Sequence, residues 1–250
     1  MNKMKTINIA LIGYGFVGKT FHAPLIQSVE GLKLAVVSSR DEEKVKRDIP
    51  DATVVASPEE AIQHPDVDLV VIASPNATHA PLATLALNSG KHVVVDKPFT
   101  LDMQEARDLI ALADEKQLLL SVFHNRRWDS DFLGIKQVIE QGSLGKIKHL
   151  ESHIDRFRPE VRVRWREQNV PGSGLWFDLG PHLIDQTLQL FGLPQSVQGN
   201  IATLRDGAET LLPPAELVEG DVIRLRRGDQ LPGDGLALEG SAAVNEALLT

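Results

Sequence analysis

Two short stretches of this 250-residue chain carry side chains that can move a proton on and off a hydroxyl group. The first is Asp96-Lys97-Pro98, directly after the apolar run Lys91-His-Val-Val-Val95. A lysine at the end of a buried strand can be desolvated, hydrogen-bond a substrate hydroxyl and polarise it while a hydride leaves the carbon. The same dipeptide also occurs in plain surface turns. The second stretch is Gly172-Ser-Gly174-Leu-Trp-Phe-Asp178-Leu-Gly180-Pro-His182-Leu-Ile-Asp185. If it opens a helix, Asp178 and His182 stand four residues apart on one face. A histidine near its ordinary pKa can take or give the proton that accompanies hydride transfer. Asp178 can orient the imidazole or bind a substrate hydroxyl. The alternative for His182 is a satisfied core histidine. Two acids and a histidine also raise a metal reading, but no second ligand cluster has metal-site spacing, so no metal is expected.

These groups need a frame, and the first 123 residues supply the pattern of one. Ile7-Asn-Ile-Ala-Leu-Ile12 is a short apolar run of the kind buried on both faces of a parallel sheet. It leads directly into Gly13-Tyr-Gly15-Phe16-Val17-Gly18. Gly13 permits the tight turn, Gly15 lets the backbone approach a pyrophosphate, and Gly18 lets the following helix pack close to the strand. The phosphates would then sit on the free N–H groups of the helix start. Leu34-Ala-Val-Val37 reads as the second strand, and its end carries Ser38, Ser39 and Arg40 where an NAD enzyme usually has an acid. Ser39 and Arg40 could bind a 2′-phosphate, which favours NADP over NAD; the other reading of Arg40-Asp41 is a solvated loop.

The alternation continues with a strand at Asp68-Leu-Val-Val-Ile-Ala73, the turn Ser74-Pro75-Asn76, and a helix from about Ala80 to Asn88 stopped near Gly90. After the Lys91–Val95 strand, Thr100 can cap a helix carrying Ala106, Leu109, Ile110 and Ala113 on one face. Leu118-Leu-Leu-Ser-Val-Phe123 reads as the sixth strand. Strands and helices alternating at this spacing imply a doubly wound parallel sheet, with ligands at the carboxyl ends of the strands. Asn125-Arg126-Arg127-Trp128 follows the sixth strand, and Arg126, Arg127 and Trp128 could shape the substrate site. Arg156 to Arg166, with Trp165 inside it, is a candidate phosphate or carboxylate contact, or else a solvated loop or subunit contact.

Composition narrows the classes. The apolar fraction of 42% and charged fraction of 24% are those of a globular protein. A net charge of −8 argues against nucleic-acid binding by bulk electrostatics. With no cysteine, disulfides, thiolate metal sites and cysteine nucleophiles are excluded. The apolar run after the basic N-terminus is too short for a signal peptide, and no run approaches a membrane span of about 18 residues. The expected compartment is the cytoplasm.

Together the motifs Gly13-x-Gly15-x-x-Gly18, Ser74-Pro-Asn-x-x-His79, Gly90-Lys-His-Val-x-x-Asp96-Lys97-Pro98 and Asp178-x-Gly-x-His182-x-x-Asp185 resemble, in order and distance, the glucose–fructose oxidoreductase / inositol dehydrogenase (Gfo/Idh/MocA) family. The resemblance covers residues 1 to about 204. It implies an α/β architecture: a Rossmann domain over 1–123 and the front of an α/β substrate domain over 124–204. It implies NAD(P)-dependent hydride transfer to or from a sugar, cyclitol or related polyol. Carried over by position, Lys97 and His182 are the catalytic pair and Asp178 assists. Gly13, Gly15, Phe16, Val17, Gly18, Ser39, Arg40, Ser74, Pro75, Asn76, His79, Asp96 and Lys97 would surround the cofactor. Asn125, Arg127, Trp128, Trp165, Asp178 and His182 would face the substrate. The family often has glutamate where this chain has Asp96, a change of length but not of charge.

From about Arg205 the style changes. All twelve aromatic residues lie at or before Phe191, and Gly-Asp pairs punctuate short apolar pairs thereafter. Gly220-Asp221, Gly228-Asp229, Pro232-x-Asp234-Gly235 and Asn245-Glu246-x-x-Leu-Thr250 resemble the actuator domain of P-type cation-transporting ATPases. Residues 205–250 are thus expected to be a short β-rich tail, and the substrate-domain sheet incomplete. The pairing of two chains through that sheet face would then be lost. The rival readings are a hybrid that binds nucleotide without turnover, and a fragment of a transport ATPase.

Overall fold

In the computed structural model, residues 6–154, 168, 170–197, 202–205 and 208–211 are described. The chain divides into two compact units, Met1–Phe123 and His124–Thr250.

In the first unit, six parallel strands alternate with helices: β1 (Ile7–Ile12), α1 (Ala23–Ser28), β2 (Leu32–Ser38), α2 (Glu42–Asp48), β3 (Thr53–Val55), α3 (Pro58–Gln63), β4 (Leu69–Ile72), α4 (His79–Asn88), β5 (His92–Asp96), α5 (Met103–Glu115) and β6 (Leu120–Phe123). The sheet order is β3-β2-β1-β4-β5-β6, and every pairing is parallel. This is the doubly wound Rossmann order, which reverses direction between β1 and β4. The strand residues alternate between two apolar layers. Ala10, Ile12, Val70, Ile72, Val93 and Val95 pack with α3, α4 and α5 on one face. Ile9, Leu11, Val37 and Val71 pack with α1 and α2 on the other. Two covered faces explain why these strands read as unbroken apolar runs, and each fully buried Val, Leu or Ile side chain contributes about 1.5–3 kcal/mol.

Helix starts follow local polar chemistry. Ser57 accepts from the N–H groups of Glu59 and Glu60 at the head of α3. For α5 the cap is Asp102, which accepts from Gln104 and Glu105, and not the expected Thr100, whose hydroxyl donates to the Asp102 carbonyl at 2.7 Å. Nor is Ile110 on the inner face: Leu109 and Ala113 are buried, whereas Ile110 is 52% exposed. The 100° step per residue carries the apolar stripe through Leu112 instead, which lies against the core. Helix α1 is preceded by a π-turn, Gly18–His22.

The second unit contains α6 (Ser130–Glu140), α7 (Gly174–Phe191) and the antiparallel pair β7 (Ala202–Arg205) and β8 (Ala208–Leu211). The expected join at Arg205 falls inside this hairpin, with Arg205 opposite Ala208. Among the described residues, no helix is long and apolar enough to cross a membrane.

Candidate active site

The glycine turn after β1 is fixed from both sides. Gly13 has φ +95°, and a Cβ there would stand 2.7 Å from the Ala73 carbonyl oxygen. At Gly18 a Cβ would stand 2.1 Å from the Gly13 carbonyl oxygen. Both approaches exclude any other residue. Gly15 is the opposite case: a Cβ there meets nothing within 4 Å. The turn is therefore tight inward and open at Gly15, where a dinucleotide pyrophosphate would lie against backbone N–H groups. Phe16 beyond it is 74% exposed, in edge contact with Phe21, and Val17 is half-buried.

Tyr14, between the first two glycines, points into the core. Its hydroxyl donates to Asp48 at 3.1 Å, and Asp48 also holds Lys19 at 2.6 Å. Burial first, and the Asp48 carboxylate second, push the Tyr14 phenol up to about 12. Lys44 of α2 donates from Nζ to the Tyr14 carbonyl at 3.0 Å. Sequence reasoning missed Lys44. Its signal was a cation three residues into a helix that starts just beyond the end of β2. With Ser39, half-buried, and Arg40, exposed, it gives that strand end two cations and a hydroxyl. The Ser39 hydroxyl currently accepts from the Asp41 N–H at 3.1 Å.

The loop after β4 holds Ser74, Pro75 and Asn76, and Asn76 is buried. Ser74 and Thr78 share a hydroxyl–hydroxyl hydrogen bond of 2.6 Å. His79 lies deeper, its ring between the carbonyl oxygens of Ser74 and Pro98. At the end of β5, Asp96 and Lys97 are both buried, and the Lys97–Pro98 bond is cis. The Asp96 Oδ1 accepts the Lys97 N–H at 2.7 Å. Lys97 is thus a buried lysine at the end of a strand.

In the second unit, Asp178 and His182 lie on α7 at the expected four-residue spacing; His182 is buried and Asp178 half-buried. Pro181, just before His182, withholds one helical N–H. Arg127 makes a bidentate pair with Asp185, Nε to Oδ2 at 2.7 Å and a terminal nitrogen to Oδ1 at 2.5 Å. Gln186 donates to the Arg126 carbonyl at 3.0 Å, and Arg126 pairs with Asp129. The Asn125–Trp128 turn is thus tied to α7, and Trp128 projects 76% exposed. Arg127 was expected at the substrate; the structure gives its guanidinium to Asp185. Trp165 and the basic run around it lie outside the described residues. Among the described residues no group of three acids or histidines is placed to hold a metal.

Comparison with known proteins identifies the class. Residues 7–124 match the model of an oxidoreductase family with an NAD-binding Rossmann fold, GFO/IDH/MocA, and residues 132–225 match the GFO/IDH/MocA C-terminal domain. The chain belongs to the Gfo/Idh/MocA oxidoreductase family. It is 58% identical over 204 residues to the oxidoreductase YdgJ of Escherichia coli, covering 82% of this chain and 59% of that one. It is 44% identical over 209 residues to scyllo-inositol 2-dehydrogenase (NADP(+)) IolW of Bacillus subtilis, covering 84% and 58%. Among solved structures, an oxidoreductase from Klebsiella pneumoniae is 80% identical with a TM-score of 0.73, covering 87% of this chain and 62% of that one. One from Bacteroides fragilis is 36% identical with a TM-score of 0.71, covering 90% and 67%. The chain spans about three-fifths of the length of these two curated relatives. Nothing in these matches supports a transport-ATPase origin for the tail. The C-terminal-domain match instead continues past Arg205 to residue 225. The Gly-Asp pairs on which that reading rested are short, common words, and they lie outside the described residues.

Proposed function

We propose that this chain carries the cofactor site and catalytic groups of an NADP-preferring oxidoreductase acting on a cyclitol or related polyol. The observation that carries this reading is the buried Asp96-Lys97 turn at the carboxyl end of β5, in the same unit as a glycine turn open at Gly15. The similarity to IolW and, at 30% identity over 195 residues, to an inositol 2-dehydrogenase of Rhodococcus jostii supports the substrate class.

The bound nicotinamide supplies hydride exchange with a carbinol carbon. The protein's own work is to place and protonate. Gly13, Gly15 and Gly18 shape the dinucleotide turn; Phe16, Val17, Ser74, Pro75 and Asn76 flank it. Ser39, Arg40 and Lys44 offer a 2′-phosphate two positive charges and a hydroxyl donor. Lys97 hydrogen-bonds the reacting hydroxyl. In the second unit His182, with Asp178 four residues before it on α7, is the group that would exchange a proton with a substrate hydroxyl. Asn125 and Trp128 contribute to substrate shape.

Titration with NADPH and NADH, followed by energy transfer from tryptophan, tests the cofactor half. Saturation by NADPH below about 1 mM, tighter than by NADH, is expected. No binding of either at millimolar concentration overturns the reading. The chemical half is tested by NADP+ reduction with scyllo- and myo-inositol, abolished in Lys97→Met. Turnover that survives Lys97→Met removes Lys97 from the mechanism.

A further inference from the structure

Two buried histidines converge on the turn that carries Lys97, and neither is needed as a proton carrier in the reading above. His79 is 1% exposed and opens α4. Its Nδ1 lies 2.8 Å from the Pro98 carbonyl oxygen and its Nε2 lies 3.0 Å from the Ser74 carbonyl oxygen. The ring therefore joins the loop after β4 to the loop after β5. A neutral imidazole has one N–H, and the tautomer decides which of the two carbonyls accepts it. With both nitrogens facing backbone inside the core, this ring has no edge left to offer a ligand.

His22 reaches the same turn from another crossover. It is 4% exposed and closes the π-turn after the glycine loop. Its ring lies on that of Phe123, centroids 4.2 Å apart, and Phe123 is the register partner of Asp96 across β5 and β6. Its Nε2 faces Asp96 Oδ2 at 4.0 Å and has no hydrogen-bond partner. The other oxygen of Asp96 accepts the Lys97 N–H. A π-turn adds a residue to the helical turn and rotates every later side chain by about 100°. The irregularity thus sets the direction in which His22 leaves the helix.

We propose that His22 and His79 are positioning residues that hold the Asp96-Lys97-Pro98 turn from its two flanks, His22 by packing on Phe123 and against the Asp96 carboxylate, and His79 through the Pro98 carbonyl. This rests on Lys97 being the group at the substrate hydroxyl. The arrangement matters because displacement of a reacting group by about 1 Å costs on the order of a hundredfold in rate. It stands as the alternative to the sequence expectation that His79 touches the cofactor.

The test uses the full chain and the variants His79→Gln, His79→Leu and His22→Phe. Hydrogen exchange of the Lys97 amide, read by NMR without cofactor, should accelerate several-fold in His79→Leu and His22→Phe. His79→Gln, which retains a donor, should recover part of the protection. In turnover, kcat should fall by about tenfold or more in His79→Leu while the NADPH dissociation constant stays within about twofold. Parallel loss of NADPH affinity would make His79 a cofactor contact and overturn the proposal. Unchanged Lys97 exchange in both His79→Leu and His22→Phe would also overturn it, whatever their melting temperatures. If the wild-type chain does not turn over, the functional reading fails but the exchange experiment still decides the structural one.

Discussion

The glycine turn after β1 and the α7 helix each carry candidate functional residues, yet they are built on opposite terms. The turn is made of backbone. Gly13 and Gly18 are confined by carbonyl oxygens at distances no side chain tolerates, and Tyr14, Lys44 and Asp48 fasten it from behind. Helix α7 places Asp178, His182 and Asp185 by helical periodicity, with Pro181 inside it. What steadies it is a side-chain pair, Asp185 with Arg127. Backbone sites should fail all at once when a methyl group is added. Side-chain sites should fail gradually and by partner.

The sharpest way to break that contrast is at Gly18. Gly18→Ala drives a Cβ into the Gly13 carbonyl and should cost more than about 3 kcal/mol of stability, read as a collapse of the thermal transition. Gly15→Ala is the paired control. Its methyl enters open space, so the melting temperature should hold while NADPH affinity falls at least about tenfold. Equal melting losses in the two variants would mean that the open face at Gly15 is not a ligand face.

Next in size is the α7 pair. Asp185→Asn leaves a guanidinium facing a neutral amide and should cost about 1–3 kcal/mol, less than a fully buried pair because Arg127 is partly exposed. Arg127→Leu should lose a similar amount, and the double variant should lose less than the sum. Strict additivity in chemical denaturation would show that the pair does not couple the Asn125–Trp128 turn to α7.

A smaller effect is expected where β2 ends. Lys44→Ala and Arg40→Ala should each weaken NADPH by about tenfold, roughly 1.4 kcal/mol, and leave NADH within about twofold. If Lys44→Ala weakens both cofactors equally, its role is to hold the Tyr14 carbonyl and not to read the 2′-phosphate.

Much of the first unit was legible because burial on both faces of a parallel sheet writes strands as apolar runs. Ile7–Ile12 and the runs ending at Ile72, Asp96 and Phe123 all show it. The three-residue β3 was not legible, since Thr53-Val-Val55 is too short to show a period. The helix cap moved from Thr100 to Asp102 because the two lie close together and only geometry decides which oxygen meets the free N–H groups. Spacing placed Asp178 and His182 on one helix, but it could not show that Arg127 is occupied by Asp185, a pairing across 58 residues. Nor could it show that His79 turns inward, since a motif names a residue and not the direction of its ring. The reading of the tail rested on Gly-Asp spacing alone, and residues 212–250, which carry those pairs, lie outside the described residues.

The smallest effect concerns proton uptake at His22, next to the glycine turn. Burial, only partly opposed by the Asp96 carboxylate, pulls the His22 imidazole below its ordinary value near 6.5. The charged or titratable neighbour facing it is Asp96 from β5; Phe123 from β6 is neutral, and Lys19 on its own turn is paired with Asp48. Below about pH 6.5 the unfolded chain takes up a proton at this position that the folded chain resists, so folding stability falls as pH falls. Above that value His22 contributes no slope. Wild type and His22→Phe should therefore keep a constant difference in unfolding free energy above pH 7 and converge as pH drops toward 5, because only the wild type bears the penalty. A difference that instead grows on acidification would mean that His22 is charged in the folded state and paired with Asp96, which would turn a neutral brace on the Lys97 turn into an ion pair.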